Sequence, residues 1–585
     1  MKNYQVTGNE YLSLPTIDET TGGMEGITLL HMGAKGLLEL NGGDKPFLRP
    51  VFSMNGAEAP IREPIWKRES YWLPSFTCRT AGAELSVSYL CPIGERAFFV
   101  RMEAENQTGA PIRARLGVEG GWQRTLHEIN ETAVLEGRRT QEPSGWNHAF
   151  VMQEFVGLPL CAFAPIAEDT VEWTFGGMAW QGGRTFTLDA GETARVDFIF
   201  GIGYETVAAA TSAKHLLRVG YEKARRDTLA WLDARVLKAP DESIRRLLNT
   251  NLFFSFFYAG GKTLDTEEFC LMTSRSPRYY VSAAYWDRDS LLWSFPAIVL
   301  ADAETARDIL LYVFEKQIQN VGMHSRYIDG TLLEPGFELD ELCAPVIALE
   351  RYVARAGDRA FVRLPLVQDG LRRILRVLET KKHPEYELYE TFLQPTDDEV
   401  VYPYLTYDNV LVWRMLTLLS DYLERPELLG RAQRVREAIL AHCVRDGQFI
   451  WSTDLNGHFD IYDEPPGSLQ LLPFYGFCGM DDPLWQKTMR TIRSEKYRFS
   501  FSDKPIAEIG CLHAPHPWVL SICNSLLSGH ADTALSHLRL TRMDNGIACE
   551  SVNEITGECE TGEAFATCAG FLSFALYTAC GEKRE

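Results

Sequence analysis

The spacing of apolar residues changes near residue 205, and this change constrains the fold more than any other feature of the chain. Before it, apolar and polar residues alternate with a period of two in segments such as 84–90, 97–103 and 194–200. Polar turn clusters, for example 105–109, separate these segments. Such alternation is typical of antiparallel strands that have one buried face. We therefore predict an antiparallel β-sandwich over residues 1–204.

After residue 204 the pattern becomes helical, beginning with a charged, amphipathic stretch, 205–240, that we predict to be a helical linker. From 241 to 585 the helices come in pairs: one is apolar nearly all round, as in 291–300, and the next is charged on one face, as in 303–319. The first kind is buried on every side, whereas the second has solvent behind it. The inner helices are predicted to start near 286, 340, 405, 465, 514 and 562, and the outer ones near 242, 303, 358, 425, 482 and 531. Six of each predict an (α/α)6 barrel over residues 241–585, which makes the chain a multidomain β + α protein.

The overall charge and the cysteine pattern exclude several classes of partner. The 585 residues carry a formal net charge of −21, which argues against nucleic acid and anionic membranes as partners. The thirteen cysteines show no CxxC pair and no metal-ligand spacing. The first residues lack an apolar signal region and no apolar run reaches transmembrane length, so we expect a cytoplasmic protein. The sequence leaves homo-oligomer formation open.

The loops that lead into the predicted inner helices are unusually acidic and aromatic. If the helices form a ring, these loops meet at one rim. They contain Trp286-Asp287-Arg288-Asp289, Gly336-Phe337-Glu338-Leu339-Asp340-Glu341, Gln394-Pro395-Thr396-Asp397-Asp398-Glu399, Tyr462-Asp463-Glu464, His513-Ala514-Pro515-His516-Pro517-Trp518 and Cys549-Glu550-Ser551-Val552-Asn553-Glu554.

Crowded carboxylates repel one another, and this repulsion raises some of their pKa values. Glycoside hydrolysis uses two carboxyl groups, one protonated to assist the leaving oxygen and one ionised to activate water or attack the sugar. Aromatic rings and Arg–Asp pairs suit the apolar faces and hydroxyls of a sugar. Taken singly, each acid is better explained as a solvated loop carboxylate. Segment 286–289 alone has a second interpretation as an ion pair at a helix start. The convergence of six loops favours a carbohydrate site.

These residues resemble the (α/α)6-barrel glycosidases, particularly glucoamylase and the glucosidase domain of glycogen debranching enzymes. Those proteins have a similar aromatic-x-Arg-Asp segment at the start of an inner helix, matched here by Trp286, Arg288 and Asp289. The resemblance covers roughly residues 240–580 and implies that Arg288 and Asp289 hold hydroxyls of the terminal sugar. The full set of residues that we predict to contact the substrate is Tyr285, Trp286, Arg288, Asp289, Arg326, Glu338, Asp340, Asp398, Tyr404, His516 and Trp518.

The resemblance also implies an acid and a base. Asp397 occupies the place of the family's general acid, although the expected Trp is absent and Asp398 is a rival. Glu550 lies in a segment similar to the one that carries the catalytic base of the debranching enzymes, with Glu554 as its rival. The implied mechanism is inverting, with Asp397 protonating the glycosidic oxygen and Glu550 activating water.

We therefore expect an exo-acting glycoside hydrolase that releases a hexose from a non-reducing end, with glucose favoured. Hydrolysis of another sugar such as mannose, and a phosphorylase on the same scaffold, are alternatives. A polysaccharide lyase and a non-catalytic carbohydrate-binding protein are weaker ones. We expect no cofactor and no metal, because His324, His513 and His516 lack a paired spacing on one element.

Overall fold

The computed structural model describes residues 2–145 and 149–582. The chain divides into two compact units. Unit 1 comprises residues 1–236, 260–269 and 275–283, and unit 2 comprises 237–259, 270–274 and 284–585. The domain limits predicted at residues 204 and 240 stay predictions.

Unit 1 is built mainly from antiparallel strands. They are β1 (Tyr4–Gly8), β2 (Leu12–Asp18), β3 (Gly26–His31), β4 (Gly36–Asn41), β5 (Leu48–Met54), β6 (Ala57–Glu58), β7 (Ile65–Glu69), β8 (Leu73–Thr80), β9 (Ala83–Leu90), β10 (Ala97–Asn106), β11 (Ile112–Gly121), β12 (Arg124–Ile129), β13 (Glu131–Leu135), β14 (Arg138–Pro143), β15 (Phe150–Val156), β16 (Leu158–Ile166), β17 (Glu172–Gly176), β18 (Ala179–Leu188) and β19 (Thr193–Gly203). Within the described residues they form three sheets, in the orders β1-β2-β3-β4-β12-β13, β14-β15-β16-β19-β10-β9-β8-β7 and β17-β18-β11-β5-β6. The antiparallel β-rich region predicted from the alternating pattern is confirmed.

The inward-facing residues of these strands form one apolar core. Aromatic rings dominate part of it: the ring of Phe163 lies 5.1 Å from that of Phe47 and 5.0 Å from that of Trp180, between centroids. Two helices follow, α1 (Thr206–Val219) and α2 (Tyr221–Asp233), separated at Gly220, whose φ of 76° a glycine adopts without strain. α1 packs on β19 and β16.

Unit 2 is mainly helical. Its helices are α3 (Glu242–Tyr258), a π-helical turn (Arg288–Ser294) that continues into α4 (Phe295–Ala301), α5 (Ala303–Glu315), a 3-10 turn (Gln317–Asn320), α6 (Leu339–Ala356), α7 (Arg359–Val362), α8 (Pro365–Glu379), α9 (Thr406–Tyr422), α10 (Glu427–His442), α11 (Pro483–Ile492), α12 (Val519–Leu527), α13 (Ala531–Leu540) and α14 (Ala566–Cys580). The short strands along the chain are β20 (Gly260–Lys262), β21 (Phe269–Leu271), β22 (Met323–Arg326), β23 (Leu332–Phe337), β24 (Tyr404–Leu405), β25 (Val444–Arg445), β26 (Gln448–Phe449), β27 (Ser452–Thr453), β28 (Phe459–Asp460), β29 (Ser551–Val552) and β30 (Cys559–Thr561). None of the described helices combines the length and the apolar composition that crossing a bilayer requires.

The helices of unit 2 differ in burial as their sequences predict. Residues 339–349 of α6 and all of α12 are buried, whereas α8 buries one face, with Val367, Leu371, Ile374 and Leu378 inward. Segment 288–301 packs against both α6 and α14, α6 packs on α9, and α12 packs on α14. The predicted helical C-terminal part is therefore confirmed.

The prediction of an inner helix that starts near residue 465 is wrong. The structure has two 3-10 turns near residue 465, Pro465–Gly467 and Leu469–Leu471, where an α-helix was expected. Pro465, Pro466 and the nearby Pro473 have no backbone N–H to donate, which disfavours a long α-helix over this segment. The segment is nevertheless buried, which explains why its apolar content resembled that of an inner helix.

Candidate active site

Arg288 joins three loops of unit 2. It is the first residue of the π-helical turn, and its side chain is 1% exposed. Its Nη1 donates to the carboxylates of Glu338, at 2.5 Å, and Asp340, at 3.1 Å. Its Nη2 donates to Asp397 on the loop before α9. The guanidinium is therefore surrounded by carboxylates. Its Nε has no hydrogen-bond partner within the described part of the chain, but it lies 4.0 Å from a carboxylate oxygen of Asp289.

A fully buried layer supports this turn. The carboxylate of Glu341 accepts hydrogen bonds from the backbone N–H groups of Asp287 and Arg288. Arg326 donates to Asp287 and to Glu341, and the hydroxyl of Tyr285 donates to Asp287 at 2.5 Å. Tyr285 and Arg326 were predicted to contact the sugar, but the structure leaves them no exposed surface. Their polar groups bond to Asp287 and Glu341, so these two residues stabilise the turn from its buried side.

Asp397 and Asp398 are adjacent but lie in different electrostatic environments. Desolvation by the surrounding residues and the charge of Glu338 raise the pKa of Asp397 to about 6, although Arg288 opposes them. A hydrogen bond from His513 instead lowers the pKa of Asp398. Both side chains remain accessible, at 40% and 46% exposed. Of the two, Asp397 is therefore the carboxyl that holds a proton more readily near neutral pH.

The loop that carries Asp397 is held in an uncommon conformation. Asp397 has a φ of 68°, a left-handed value that is strained for most residues and tolerated best by Asn, Asp and Gly. The buried carboxylate of Glu464 anchors the loop by accepting from the backbone N–H of Thr396, at 3.2 Å, and from its hydroxyl, at 2.9 Å. This anchoring fixes the direction in which the Asp397 carboxyl points.

Glu550 lies on the other side of His513 from Asp398. The His513 Nδ1 is 3.5 Å from an Asp398 oxygen, and its Nε2 is 3.7 Å from Glu550 Oε1. Glu550 is 4% exposed and leads into β29. The close packing of Gly562 against the Glu550 side chain leaves no room for a Cβ atom at position 562. The structure thus brings the loops of both predicted catalytic carboxylates to one histidine.

Three other residues that were predicted to contact the substrate have different surroundings. Asp289 is buried beside the hydroxyl of Thr567, at 2.8 Å, and burial raises its pKa to about 7. His516 pairs with Glu554, the rival base, at 3.2 Å. The backbone bridge between Trp518 and Ser551 places Trp518 next to the Glu550 loop.

Trp286 and Tyr404 differ in how they relate to this cluster. The indole Nε1 of Trp286 lies 3.3 Å from His324 Nδ1, which joins it to the Arg288 cluster. The ring of Tyr404 instead contacts that of His383, 5.5 Å away. Within the described ranges we find no hydrogen bond or ion pair that links Tyr404 to the carboxylates.

Part of the chain matches a known family. Residues 385–574 match the family described as metal-independent alpha-mannosidase (GH125). This segment is about a third of the chain and contains Asp397, Asp398, His513 and Glu550. Trehalase 1 of Sulfolobus acidocaldarius is 27% identical over 116 residues, which are 20% of this chain and 19% of the trehalase. The chain thus matches only about a fifth of the length of this curated relative.

Solved structures share the fold at low sequence identity. A bacterial glucoamylase complexed with acarbose is 11% identical, with a TM-score of 0.64, and the match covers 99% of this chain and 95% of the glucoamylase. A metal-independent alpha-mannosidase from Streptococcus pneumoniae, in a non-productive complex with alpha-1,6-mannobiose, is 16% identical with a TM-score of 0.51, covering 61% of this chain and 95% of that one. A protein described as a kojibiose phosphorylase from the human microbiome is 10% identical, with a TM-score of 0.58 and coverage of 98% and 86%.

The chain resembles glycoside hydrolases of the (α/α)6 type. The resemblance predicted from the sequence is confirmed by the family match and by the glucoamylase fold. Together with the trehalase, these relatives support an enzyme that acts on glycosides.

Several residues of this glycosidase-like site could not be singled out from the sequence. They are His324, Glu341, Glu464 and His513. His324 Nδ1 bonds to Glu338 at 2.6 Å and lies 3.7 Å from Asp397. The one indication of a functional role for His513 was its position in a loop before a predicted inner helix. A histidine at such a position is also explained by packing alone. Glu341 and Glu464 had the same acidic-loop signal as the residues chosen, and only the structure separates buried from accessible acids.

The side chains of His324, Glu338 and Asp397 form a group that has metal-ligand chemistry. Their ligand atoms lie within 4.8 Å of one another. The guanidinium of Arg288 already bonds to two of the three, so a positive charge is supplied to this group by the protein itself. Charge balance at this group therefore does not require a metal ion.

Proposed function

We propose that this protein is an exo-acting, inverting glycoside hydrolase that releases one hexose from the non-reducing end of an oligosaccharide or glycoside. The helical unit would form an (α/α)6 barrel, with Asp397 as general acid and Glu550 as general base. The observation that carries the proposal is the arrangement around His513, where an acid loop and a buried glutamate approach the same side chain from opposite sides.

The environments of the carboxyls support these roles. A general acid must be protonated when it meets the substrate, and Asp397 has a pKa of about 6, whereas that of its neighbour Asp398 is lowered. This difference favours Asp397 over Asp398 as the acid. Glu550 lies next to the imidazole of His513, with its Oε1 3.7 Å from Nε2. Its contact with that imidazole, which also touches the acid loop, favours Glu550 over Glu554.

Each step of the reaction can then be assigned. Asp397 gives its proton to the glycosidic oxygen as the bond to the anomeric carbon breaks. Glu550 takes a proton from a water molecule that attacks the opposite face of the sugar. Inversion needs room for this water between two carboxyl groups that stand ~6.5–9.5 Å apart.

The sugar that we favour is mannose in α-linkage, with glucose as the second candidate. The match to the alpha-mannosidase family includes both proposed catalytic residues, whereas the likeness to glucoamylase concerns the fold. Phosphorolysis is less favoured because a phosphorylase replaces the base by a phosphate pocket, and Glu550 would repel phosphate.

The test is hydrolysis of α-mannosides and α-glucosides, as p-nitrophenyl glycosides and disaccharides, with and without phosphate, while NMR reports the first anomer released. We expect a free β-anomer from an α-substrate without any phosphate requirement. Release of the α-anomer would contradict inversion, and a sugar phosphate product would identify a phosphorylase.

Variants test the residue roles. Asp397→Asn and Glu550→Gln should each lower kcat by about 10²–10⁴-fold, the usual contribution of a general acid or base. Asn tolerates the left-handed backbone at position 397, so this variant should fold. Asp421→Asn, which changes an exposed acid paired with Arg359, is the control and should keep the wild-type rate. Near-normal turnover in either site variant would remove that residue from its role.

A further inference from the structure

His513 lies between the two loops that carry the proposed acid and base. Its ring is 33% exposed, with one nitrogen toward Asp398 and the other toward Glu550. The edge of Trp518 supports the ring, with centroids 6.2 Å apart. One side chain thus touches both halves of the site without belonging to either.

The groups that face His513 are acidic. Asp397 and Asp398 face it from the acid loop and Glu550 faces it from the C-terminal loop. The hydrogen bond with Asp398, followed by the charge of Glu550, raises the pKa of His513 to about 9, although burial opposes the shift. The ring is therefore an imidazolium at neutral pH.

Two more titratable groups lie nearby. Burial raises the pKa of Glu464, behind the acid loop, and of Cys511, on the His513 loop. Neither is a cation, so neither competes with His513 for the three acids. The imidazolium is thus the local countercharge for the acid and base loops.

We propose that His513 is a positioning residue whose ring bridges Asp398 and Glu550 and fixes the base relative to the acid loop. The inference rests on the proposed function, because it assigns His513 a role through Glu550 and Asp397. It also gives Asp398 a role that differs from its predicted contact with sugar: Asp398 keeps the imidazole charged and oriented.

This role has a consequence for the pH dependence of catalysis. A nearby cation favours the ionised form of a carboxyl, and His513 lowers the pKa of Asp397. Loss of the cation should therefore make the acid hold its proton to higher pH. The basic limb of the kcat/KM profile, which reports the acid in the free enzyme, should move upward.

The experiment measures this profile for the full-length wild type and for His513→Gln, which removes the charge but keeps hydrogen-bonding groups. We expect the basic limb to shift upward by about 1 pH unit, since opposite charges at this distance move carboxyl pKa values by about 1–3 units when buried and by less when solvent is near. His513→Lys, which restores a cation, should bring this limb back toward the wild type even where its rate stays low.

His458→Gln is the matched control. His458 also pairs with an aspartate, its Nδ1 lying 2.7 Å from Asp454, but it is 71% exposed and lies on the hairpin of β27 and β28. The same change at this position should leave both limbs and the rate unmoved.

Asp398→Asn provides a second, independent measurement, which also serves if His513→Gln fails to fold. It removes the main source of the raised His513 pKa, so the cation is lost at lower pH and the profile moves in the same direction. The double variant should show no shift beyond that of His513→Gln, because the two residues act as one unit.

The outcomes separate this inference from the proposed function. If Asp397→Asn and Glu550→Gln are inactive while neither His513→Gln nor Asp398→Asn moves the basic limb, the inference is overturned and the function stands. A lower rate with an unmoved basic limb would assign His513 a purely structural role and would also overturn it. If Asp397→Asn or Glu550→Gln retains turnover, the proposed function itself fails.

Discussion

Replacing Arg288 by Gln should destabilise unit 2, because its guanidinium is the countercharge for buried carboxylates. Nη1 bonds to Glu338 and Asp340, which are both fully buried, and Nη2 bonds to Asp397. Removing one partner of a buried ion pair leaves uncompensated charge and costs about 3–5 kcal/mol. Unit 2 has about 330 residues, so its entropy of unfolding is about 0.7 kcal/mol per kelvin and this cost corresponds to a fall in Tm of about 4–7 °C.

The loss of stability in Arg288→Gln should depend on pH. Arg288 lowers the pKa of Glu338, Asp340 and Asp397, so all three pKa values rise when it is removed. A carboxyl whose folded-state pKa lies above its unfolded value penalises the folded state only at pH values above the unfolded pKa, near 4. The penalty of the variant should therefore be small near pH 4 and grow as the pH rises toward 8.

The assay is thermal unfolding of wild type and Arg288→Gln between pH 4.5 and 8, followed by calorimetry. Arg359→Gln is the control, because Arg359 pairs with Asp421 on the surface, where the two side chains are 63% and 59% exposed. Surface pairs contribute about 0–1 kcal/mol, so this variant should lose little at any pH. A loss for Arg288→Gln that equals the control, or that does not grow with pH, would refute the countercharge argument.

Two further predictions concern the base and the countercharge. Gly562→Ala places a Cβ against the Cβ of Glu550 and should lower kcat by about 10²-fold, because the base is then misplaced. The control is Gly457→Ala, which is also at positive φ but has open space around it, and its kcat should stay within about two-fold of wild type. Equal losses of kcat in both variants would refute the contact argument. Dialysis against EDTA should leave kcat/KM and Tm unchanged, because Arg288 already bonds to Glu338 and Asp397. This expectation would be contradicted if EDTA abolished activity and added Zn²⁺ or Ca²⁺ restored it.

The β-rich and helical parts of the chain could be predicted because burial repeats with a different period in each. Period two marks a strand with one buried face, and all-round or one-faced apolar character marks inner and outer helices. The same signal failed near residue 465 because it reports burial and not backbone hydrogen bonding. There the segment is buried, but its prolines disfavour an α-helix and the chain forms two 3-10 turns.

The chemistry of the site could be predicted from residue types, but the separate roles could not. Asp397 and Asp398 are identical in type and adjacent, so the sequence alone cannot say which one keeps its proton. The structure separates them by their neighbours: desolvation and Glu338 act on Asp397, whereas His513 acts on Asp398. Glu338 and His513 come from loops that are distant in sequence, and no local pattern reports their approach.

The acids of the predicted rim differ in burial, and each group of them has its own positively charged or N–H partners. Glu341 and Asp287 lie deepest and are compensated by backbone N–H groups and Arg326. Arg288 compensates the next layer, which includes Glu338.

Above these layers, Asp397 and Asp398 are still accessible to solvent. Arg288 bonds to Asp397 from below, and His513 pairs with Asp398 from the side. A substrate would therefore meet carboxyls whose charge is already partly neutralised. The fixed cations counter the repulsion among the acids, whereas desolvation raises the pKa of Asp397, so that the proposed acid holds a proton more readily than Asp398 does.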